Sequence, residues 1–305
     1  MEKLTVDIII PVYRPDEKYI RLLQGLKKQI YPIHKIIIMN TERKYYEEDR
    51  YPQLSNMEVH HIQKSEFDHG GTRNQAVQYS NSDIIFFLTQ DAVPPDRHLV
   101  ENILKPFEDE MVAAVYGRQV PVPSCNIIER FSRNFNYPQE SFKKSKQDLE
   151  RLGIKTFFCS NVCAAYRRDI YDKLGGFPLR TIFNEDMIFT GELIKAGYTV
   201  AYEADAKVVH SHNYSGIQQF HRNFDLAVSQ VDNPQIFSGI RSEGEGIRLV
   251  KQTMEYLIRR KKYIQVMKLI YISGCKYMGY LLGKKYKKLP RKFVIWCSMN
   301  REYWR

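Results

Sequence analysis

The sequence predicts an α/β protein with a mostly parallel central sheet flanked by helices, followed by a basic helical C-terminal extension. Three observations lead to this prediction. Short, unbroken apolar runs alternate with helix-like segments in the first 120 residues, hydrophobic residues make up 43% of the chain, and positive charge is concentrated after residue 250. Strands that are apolar along their whole length are buried on both faces, as in parallel sheets covered by helices.

The first half of the chain alternates between predicted strands and helices. Its apolar runs are four to six residues long, rich in isoleucine and phenylalanine, and bounded by polar residues or proline, which is typical of buried strands. In chain order, this half contains a strand at 6–10, a helix at 16–30, strands at 35–39 and near 59, a helix at 72–79 and a strand at 84–88.

The second half is less regular. Residues 121–155 contain several prolines and no clear periodicity, so they are predicted to form a loop. A strand and a helix then lead to Gly175-Gly176, and a second helix begins at Glu185-Asp186 and ends before Gly197. Two strands are predicted at 198–202 and 206–210, and helical, increasingly basic sequence follows.

Charge is distributed unevenly along the chain. The net charge is +11, yet residues 251–305 carry 15 Lys and Arg against 2 Glu, which leaves residues 1–250 at −2. A polybasic segment is attracted to the phosphates of lipid or nucleic acid. No stretch reaches the roughly 18 uncharged apolar residues of a spanning helix. The extension is therefore predicted to bind an anionic membrane surface, with a solvated helix face as the alternative.

The cysteines and the start of the chain indicate in which cellular compartment the protein resides. The five cysteines include no C-x-x-C pair, which argues against a disulfide framework and against a zinc site. The chain also enters its first strand without an apolar segment typical of a signal peptide. Both features predict a reducing, cytoplasmic location.

Asp91 is the first candidate functional residue, because it follows the buried run at 84–88. Ligands bind at the carboxyl ends of strands in open α/β sheets. An acid at this edge is suited to hold a diphosphate through a bridging divalent cation. Since Pro94-Pro95 follows closely, a residue that only caps a turn gives the same pattern.

Asn184-Glu185-Asp186 is the second candidate, at the start of a predicted helix. The unpaired N–H groups and the helix dipole stabilise carboxylates in a first turn, and they also keep a carboxylate ionised, as a general base requires. Two adjacent acids leave one for capping and one for chemistry. Simple N-capping is the alternative.

His210 and His212 end the last predicted strand. Imidazole binds Mn²⁺-like ions together with carboxylates, although two histidines on an exposed strand end also fit a polar surface. Gly70-Gly71 precedes a predicted helix and would let backbone N–H groups approach an anion, with Arg73 as a fixed cation. A simple turn explains the same glycines.

In this order, the motifs closely resemble those of family 2 glycosyltransferases, which have the GT-A fold. The resemblance covers roughly residues 5–240 and is most specific at 7–13, at 71–74 and in the motifs between 166 and 198. Within the family, the stretches 67–75 and 89–92 resemble the bacterial rhamnosyltransferases, which use dTDP-L-rhamnose.

The resemblance implies a role for each candidate residue. Asp186 would be the catalytic base, and Asp91 and His210 would hold Mn²⁺ or Mg²⁺. The residues expected to bind the nucleotide-sugar donor are Pro11, Tyr13, Asn40, Asp68, Arg73, Gln90 and Asp91. The sequence departs from the family pattern at two places: Asn40 stands where an acid is usual, and Gln90 leaves Asp91 as the single acid of its motif.

The resemblance also implies an organisation. Residues 1–120 would form the nucleotide-sugar-binding half and 121–240 the acceptor-binding and catalytic half of one GT-A domain, with 241–305 as a basic amphipathic helical tail. The aromatic residues of the predicted loop, Phe131, Phe135 and Tyr137, are candidates for contacting an acceptor sugar.

The predicted function is an inverting, metal-dependent glycosyltransferase of cell-surface polysaccharide synthesis. It would move L-rhamnose from dTDP-L-rhamnose onto a glycan or polyprenyl-linked glycan, at the inner face of the plasma membrane. A UDP-hexose is the alternative donor. A nucleic-acid-binding protein fits less well, because the body is slightly acidic and the tail lacks a base-reading motif. A nucleotidyltransferase also fits less well, because no Gly-rich loop follows the first strand.

Overall fold

The computed structural model describes residues 3–240 and 243–304, and within these ranges eight strands form one mixed sheet. Their spatial order is β3-β2-β1-β4-β7-β5-β8-β6. The strands are β1 (Val6–Tyr13), β2 (Lys35–Thr41), β3 (Met57–Ile62), β4 (Ile84–Leu88), β5 (Val112–Val120), β6 (Phe142–Lys144), β7 (Cys163–Arg167) and β8 (Thr199–Val209).

The strand directions bring several carboxyl ends to one edge of the sheet. Strands β1 to β4 are parallel to one another. Strand β7 is antiparallel to both of its neighbours, β4 and β5, and β8 is parallel to β5. The chain therefore leaves β1, β4, β5 and β8 on the same side, which is where ligands bind in such sheets.

Helices cover both faces of the sheet, which confirms the predicted α/β class. Ile8 and Ile10 of β1 pack into one apolar cluster, and Ile9 between them packs into the other. The helices are α1 (Glu17–Lys27), α2 (His69–Val77), α3 (Leu99–Leu104), α4 (Ile127–Asn136), α5 (Leu149–Leu152), α6 (Arg168–Lys173), α7 (Glu185–Lys195), α8 (Gly216–Asp232), α9 (Pro234–Phe237), α10 (Glu243–Arg259), α11 (Tyr263–Lys284) and α12 (Arg291–Cys297).

Two predictions about secondary structure were wrong. The predicted loop at 121–155 contains helices α4 and α5 and strand β6. The two strands predicted at 198–202 and 206–210 are one strand, β8, whose register with β5 shifts between Gly117 and Arg118. The shift leaves residues 204–206 of β8 without partners on β5, as a bulge does.

The C-terminal extension packs directly on the body of the protein. A Cβ atom added to Gly279 or Gly283 of α11 would lie 2.2 or 2.4 Å from the backbone carbonyl oxygens of Phe220 and Phe224 on α8. The two helix backbones are therefore in contact, which only glycine permits. No helix in the described part of the chain is long and apolar enough to cross a membrane.

Candidate active site

Asp91, His210 and His212 form a cluster at the carboxyl edge of the sheet. Asp91 follows β4 and His210 follows β8, and paired backbone hydrogen bonds between Val93 and Val209 (3.3 and 2.7 Å) hold the two segments together. The Nε2 atoms of His210 and His212 each lie 3.5 Å from a carboxylate oxygen of Asp91. All three ligand atoms lie within 4.8 Å of one another.

Hydrogen bonds fix which nitrogen of His210 is available. The guanidinium of Arg133 donates to Oε1 of Gln119 on β5, and because arginine only donates, this end of the amide is the oxygen. The same oxygen lies 3.0 Å from Nδ1 of His210, so Nδ1 carries the proton and donates. The lone pair of Nε2 therefore faces Asp91, as an imidazole that binds a metal requires.

Burial keeps this imidazole neutral. The side chain of His210 is 5% exposed, and burial lowers its pKa to about 3 despite the opposing effect of the Asp91 carboxylate. Burial also lowers the pKa of His212. Two neutral imidazoles and one carboxylate are a donor set that suits a divalent ion such as Mn²⁺. The residues therefore fit the divalent cation that the sequence predicts.

His212 joins this cluster, although the sequence analysis considered it only as a possible ligand beside His210 and assigned the metal to Asp91 and His210. Its position two residues after His210 was the available signal, because alternate residues of an extended segment project to the same side. The supporting residues Gln119 and Arg133 gave no signal, since Gln119 lies 91 positions before His210.

Asp186 lies near the same edge at the start of α7. Its Oδ2 accepts from the backbone N–H of Asn161 (3.1 Å) and its Oδ1 from the N–H of Met187 (2.8 Å). Burial raises the pKa of Asp186 to about 7, and the negative charge of neighbouring Glu185 adds to this effect. A carboxylate with a pKa near neutrality is suited to accept a proton from a substrate hydroxyl.

Glu185 has a different environment from its neighbour. Its Oε1 lies 3.2 Å from Nη1 of Arg73 and 3.3 Å from Nδ2 of Asn161. Burial acts to raise the pKa of Glu185, but the charges of Arg73 and His69 and the hydrogen bond from Asn161 together outweigh burial, so the pKa is lowered. Of the two adjacent acids, Glu185 is thus held in an ion pair with Arg73, whereas Asp186 forms no ion pair with any residue in the described part of the chain. That one acid caps the helix and the other takes part in the chemistry stays a prediction.

A short segment connects Asp186 to the metal-ligand candidates. Asn161 donates to Asp186, the hydroxyl of Ser160 accepts from Nε2 of Gln119 (3.0 Å), and the carbonyl of Val162 accepts from the N–H of Thr89 (3.2 Å). Gln119 supports His210, and Thr89 precedes Asp91 by two residues. The structure therefore brings Asp91, His210 and Asp186 to one edge, around residues 160–162.

Two predicted donor residues lie at the surface beside this cluster. The side chain of Gln90 bonds to the backbone N–H (2.7 Å) and carbonyl (3.2 Å) of Tyr13, which joins the ends of β1 and β4. Pro11 lies two residues earlier within β1. The Tyr13 ring is 37% exposed and packs edge-on against Tyr45, 5.7 Å between centroids. Arg14 donates to the Tyr45 hydroxyl (2.8 Å). Sequence reasoning missed Arg14 and Tyr45.

The other predicted donor residues lie deeper. Asn40 is completely buried; its Nδ2 lies 3.0 Å from Nδ1 of His61, while its Oδ1 lacks a hydrogen-bond partner within the described ranges. Asp68 caps α2 by accepting from the N–H of Gly71 (2.6 Å), and Arg73 is 5% exposed beneath Glu185. Nucleotide binding by these three residues stays a prediction.

One interpretation of the sequence was wrong, and a second was wrong in part. A Cβ on Gly70 would lie 2.2 Å from the carbonyl oxygen of Pro178, so this glycine admits another loop of the protein rather than a ligand. Of the aromatic residues predicted to contact an acceptor sugar, Tyr137 is buried, whereas Phe131 and Phe135 are half-buried and their contact with an acceptor stays a prediction. Tyr137 is buried against Gln119, Phe131 packs on Tyr256, and Phe135 contacts the cations of Lys155 and Arg248.

Comparison with known proteins identifies the family. A family model for glycosyl transferase family 2 matches residues 7–175, which is more than half of the chain. The chain belongs to glycosyl transferase family 2. It is therefore a glycosyltransferase, as the sequence predicted.

Among the relatives of this family 2 glycosyltransferase are two from Salmonella. It is 40% identical over 306 residues to the O-antigen chain rhamnosyltransferase RfbN of Salmonella typhimurium, covering 99% of this chain and 96% of the relative. It is 44% identical over 247 residues to the O-antigen chain rhamnosyltransferase WbaN of Salmonella anatum, covering 80% and 78%. The predicted resemblance to bacterial rhamnosyltransferases is confirmed.

Solved structures share the fold. The mannosyltransferase PcManGT from Pyrobaculum calidifontis, in complex with GDP-Man and Mn²⁺, superposes with a TM-score of 0.60 at 15% identity, covering 93% of this chain and 87% of that one. TarS from S. aureus, in complex with UDP-GlcNAc, gives a TM-score of 0.54 at 12% identity, covering 93% and 92%. These similarities confirm the predicted GT-A fold.

Proposed function

We propose that this glycosyltransferase moves L-rhamnose from dTDP-L-rhamnose, with inversion, onto a glycan or lipid-linked glycan of cell-surface polysaccharide at the cytoplasmic face of a membrane. The observation that carries the proposal is the meeting of Asp91, His210 and Asp186 at one sheet edge. The identity of 40% to RfbN across nearly the whole chain supports rhamnose as the donor sugar.

Asp186 acts as the general base. It accepts the proton of an acceptor hydroxyl while that oxygen forms a bond to the anomeric carbon of the donor sugar. The bond between this carbon and the diphosphate oxygen breaks in the same displacement, and dTDP leaves with the electron pair. One displacement inverts the anomeric configuration. The hydrogen bonds from the backbone of Asn161 and Met187 hold the carboxylate in place for this step.

The cluster of Asp91, His210 and His212 is proposed to hold Mn²⁺ or Mg²⁺. When bound, the ion supplies positive charge that offsets the negative charge of the departing diphosphate. Gln119 keeps Nε2 of His210 unprotonated, which is the form that can bind. Lys18, with Nζ 4.0 Å from Asp91, adds a further positive charge at this edge.

The nucleoside is proposed to bind next to the ends of β1 and β2. The exposed Tyr13 ring, with Tyr45 and Arg14 beside it, offers a surface for a base and ribose, and Gln90 fixes this surface relative to Asp91. Oδ1 of the buried Asn40, which has no hydrogen-bond partner among the described residues, is an acceptor beneath the same strand ends. Pro11, Asp68 and Arg73 complete the proposed donor set.

A donor screen tests this proposal. Thermal shifts are measured with dTDP-L-rhamnose, UDP-glucose and GDP-mannose, each with Mn²⁺, Mg²⁺ or EDTA, because a ligand that binds the native state raises the melting temperature. Release of the nucleoside diphosphate is followed in parallel. We expect the largest shift, and slow dTDP release, with dTDP-L-rhamnose and a divalent ion. A larger response to UDP-glucose would favour the UDP-hexose alternative, and no response to any donor would contradict the proposal.

The membrane part of the proposal rests on the outward face of α11. Surface helices normally expose charged residues, but here a row of apolar and aromatic side chains is exposed: Ile264 is 83% exposed, Met267 67% and Tyr271 60%. This outer stripe of α11 consists of Tyr263, Ile264, Met267, Ile270, Tyr271, Gly274, Tyr277, Met278 and Leu281.

Basic residues flank the outer stripe at both ends. Residues 259–262 precede α11 as Arg-Arg-Lys-Lys, and four lysines lie at 284–288. The 22 residues of the helix span about 33 Å. An apolar stripe between two basic clusters suits a helix that lies in the plane of an anionic membrane, with lysines and arginines at the phosphates.

Vesicle binding tests the membrane proposal independently of the chemistry. The double variant Met267→Asp/Tyr271→Asp is compared with Ile247→Asp, which changes an equally exposed residue on α10 (68% exposed). We expect the protein and the control to sediment with phosphatidylglycerol vesicles at low salt, and the double variant to stay in the supernatant. Equal sedimentation of all three proteins would remove the outer stripe from membrane binding.

A further inference from the structure

Lys144 is a buried cation near one edge of the sheet. It is the last residue of β6, and it is 2% exposed. Among the described residues, no carboxylate lies within ion-pair distance of its ammonium. A buried charge is costly unless hydrogen bonds replace those it made to water. The ammonium of Lys144 therefore depends on the hydrogen bonds that it makes to the protein.

These hydrogen bonds go to two backbone carbonyls of one short segment. Nζ of Lys144 donates to the carbonyl oxygen of Lys155 (3.2 Å) and to that of Phe158. The two carbonyls lie at the end of a 3₁₀ turn at Gly153–Phe157. Nζ also lies 4.7 Å from the ring centroid of Tyr116 on β5 and 5.8 Å from that of Phe158. Lys144 thus ties the end of this turn to the sheet.

The charges around Lys144 leave these contacts in place. Burial lowers the pKa of Lys144 to about 7, and the positive charge of Lys155 adds to this effect. The thiol of Cys159 and the carboxylate of Asp148 act in the opposite direction, although Asp148 itself pairs with Arg151. An ammonium has three N–H donors, and the neutral amine that forms on deprotonation still has two, one for each carbonyl.

The segment held by Lys144 leads directly into residues that support the active site. The backbone N–H of Asn161 donates to Asp186 (3.1 Å). The hydroxyl of Ser160 accepts from Nε2 of Gln119 (3.0 Å), and Oε1 of the same amide bonds to His210. This part of the chain lies outside the helices and strands, so side-chain contacts such as those of Lys144 contribute to its position.

We propose that Lys144 is a positioning residue of the active site. By holding the two carbonyls, its ammonium sets the position of Ser160 and Asn161. Ser160 supports the metal-ligand cluster through Gln119, and Asn161 supports Asp186 directly. One residue outside the site thus acts on both of its parts. The inference deepens the proposed function and rests on it, since the roles of base and metal site are themselves proposed.

Three variants test the inference. Lys144→Met keeps an unbranched side chain of similar length and removes the N–H donors. Lys144→Gln keeps a donor on a shorter side chain, which can replace only part of the contacts. Lys143→Met is the matched control, because adjacent residues of a strand project to opposite faces. Lys143 is half exposed, in a surface ion pair with Asp109, and such pairs contribute little to stability. Urea denaturation checks that each variant is folded.

Hydrogen exchange of peptides covering residues 155–162 measures how firmly the segment is held, without metal or donor. We expect exchange about tenfold faster in Lys144→Met than in the unchanged protein, because two hydrogen bonds to a charged group are lost. Lys144→Gln should be intermediate, and Lys143→Met should not differ from the unchanged protein. Equal exchange in all four proteins would show that other contacts hold the segment, and the proposal would be overturned.

Metal affinity and turnover distinguish positioning from a purely structural role. By electron paramagnetic resonance without donor, we expect the Mn²⁺ affinity of Lys144→Met to fall about tenfold, at the lower end for a lost supporting contact. At saturating Mn²⁺ and dTDP-L-rhamnose, dTDP release should slow about tenfold or more, because a small displacement of a catalytic group lowers the rate, while the KM for the donor stays unchanged. Lys144→Gln should show smaller losses of the same kind.

A purely structural role predicts another result. The Lys144 variants would then unfold at lower urea concentration, yet their Mn²⁺ affinity and dTDP release would equal those of Lys143→Met, and this result would overturn the proposal. If Lys144→Met does not fold, the same comparison is made with Lys144→Gln. Hydrogen exchange needs neither metal nor turnover, so it reports on Lys144 even if the donor screen contradicts the proposed function. Conversely, faster exchange with unchanged metal affinity and turnover would remove the positioning role and leave the proposed function intact.

Discussion

Two polar clusters lie on either side of Asn161 and differ in the hydrogen bonds and ion pairs that their members form. On one side, Arg73, Glu185 and Asp68 make ion pairs and hydrogen bonds with the protein itself. On the other, Asp91, His210 and His212 lie 3.5 Å or more apart, with ring nitrogens that face one another across a gap. The members of the first cluster bond to one another, whereas the side chains of the second converge without a close bond between them.

This comparison separates residues that stabilise the fold from residues that are proposed to bind a ligand or to react. A buried charge with a partner stabilises the native state only while the partner is present. Side chains that converge without hydrogen bonds to one another have lone pairs that can bind a ligand. Asp186 is proposed to belong to the second kind, although it adjoins Glu185 in sequence, because its carboxylate accepts backbone hydrogen bonds and forms no ion pair with residues 3–240 and 243–304.

The largest expected effect is that of Asp186→Asn. Loss of the general base should lower turnover by roughly 10²–10⁴-fold, while the Kd of dTDP-L-rhamnose changes little, because an amide keeps the shape of the side chain. Initial rates and donor binding are measured on the same preparation. Glu192→Gln, on the same helix, is the control. Turnover close to that of the unchanged enzyme would remove Asp186 from the role of base.

We expect Arg73→Met to lower the free energy of unfolding. Removing the guanidinium leaves Glu185 buried and unpaired, which typically costs about 3–5 kcal/mol of unfolding free energy. Urea denaturation measures the loss, and Arg73→Met/Glu185→Met should be less destabilised than Arg73→Met alone. Below the unfolding midpoint, Mn²⁺ affinity should not change. If dTDP affinity falls in the folded variant, Arg73 has the donor-binding role that the sequence predicted in addition to its ion pair.

We expect Gln119→Leu to lower the affinity of the site for a divalent metal. It removes the acceptor that fixes the Nδ1–H form of His210, and loss of such a supporting contact typically lowers metal affinity 10–100-fold. Titration of Mn²⁺ by electron paramagnetic resonance, without donor, measures the affinity directly. Gln78→Leu, at an exposed position after α2, is the control. An unchanged Mn²⁺ affinity would show that Gln119 only packs between β5 and α4.

The sequence predicted the parts of this comparison that depend on local pattern. Asp91, His210 and Asp186 follow or begin recognisable elements, and the parallel strands bring those ends together. Gln119 and Arg133 could not be predicted, because their contacts with His210 join residues far apart in the chain. No local feature of the sequence showed that Asp68 and Arg73 would bond to other residues of the protein, since the same residue types bind ligands and cap helices.

The C-terminal extension shows a different limit. Its basic clusters were visible in the sequence, but α11 is apolar on nearly every side, so periodicity did not reveal which side is exposed. The glycines decide this. The side of α11 that carries Gly279 and Gly283 packs against the backbone of α8. The opposite side, with Ile264 and Met267, is therefore exposed. Only the packed structure separates these two glycines from Gly274, where an added Cβ would meet no atom within 4 Å.

The smallest expected effect is on the pH dependence of stability. Because the pKa of Asp186 is raised to about 7 in the folded protein, from 3.8 when exposed, the folded state binds more protons than the unfolded state between these values. The contribution of Asp186 to stability is therefore present below about pH 4 and is lost as the pH rises through about 7. Urea denaturation from pH 5 to 8 should show a smaller decline in unfolding free energy for Asp186→Asn than for the unchanged protein. Parallel curves for the two proteins would mean that Asp186 is already ionised at pH 5. The activity of the enzyme should then stay constant as the pH is lowered through 7. A general base with a raised pKa predicts instead that activity falls as the pH is lowered below 7.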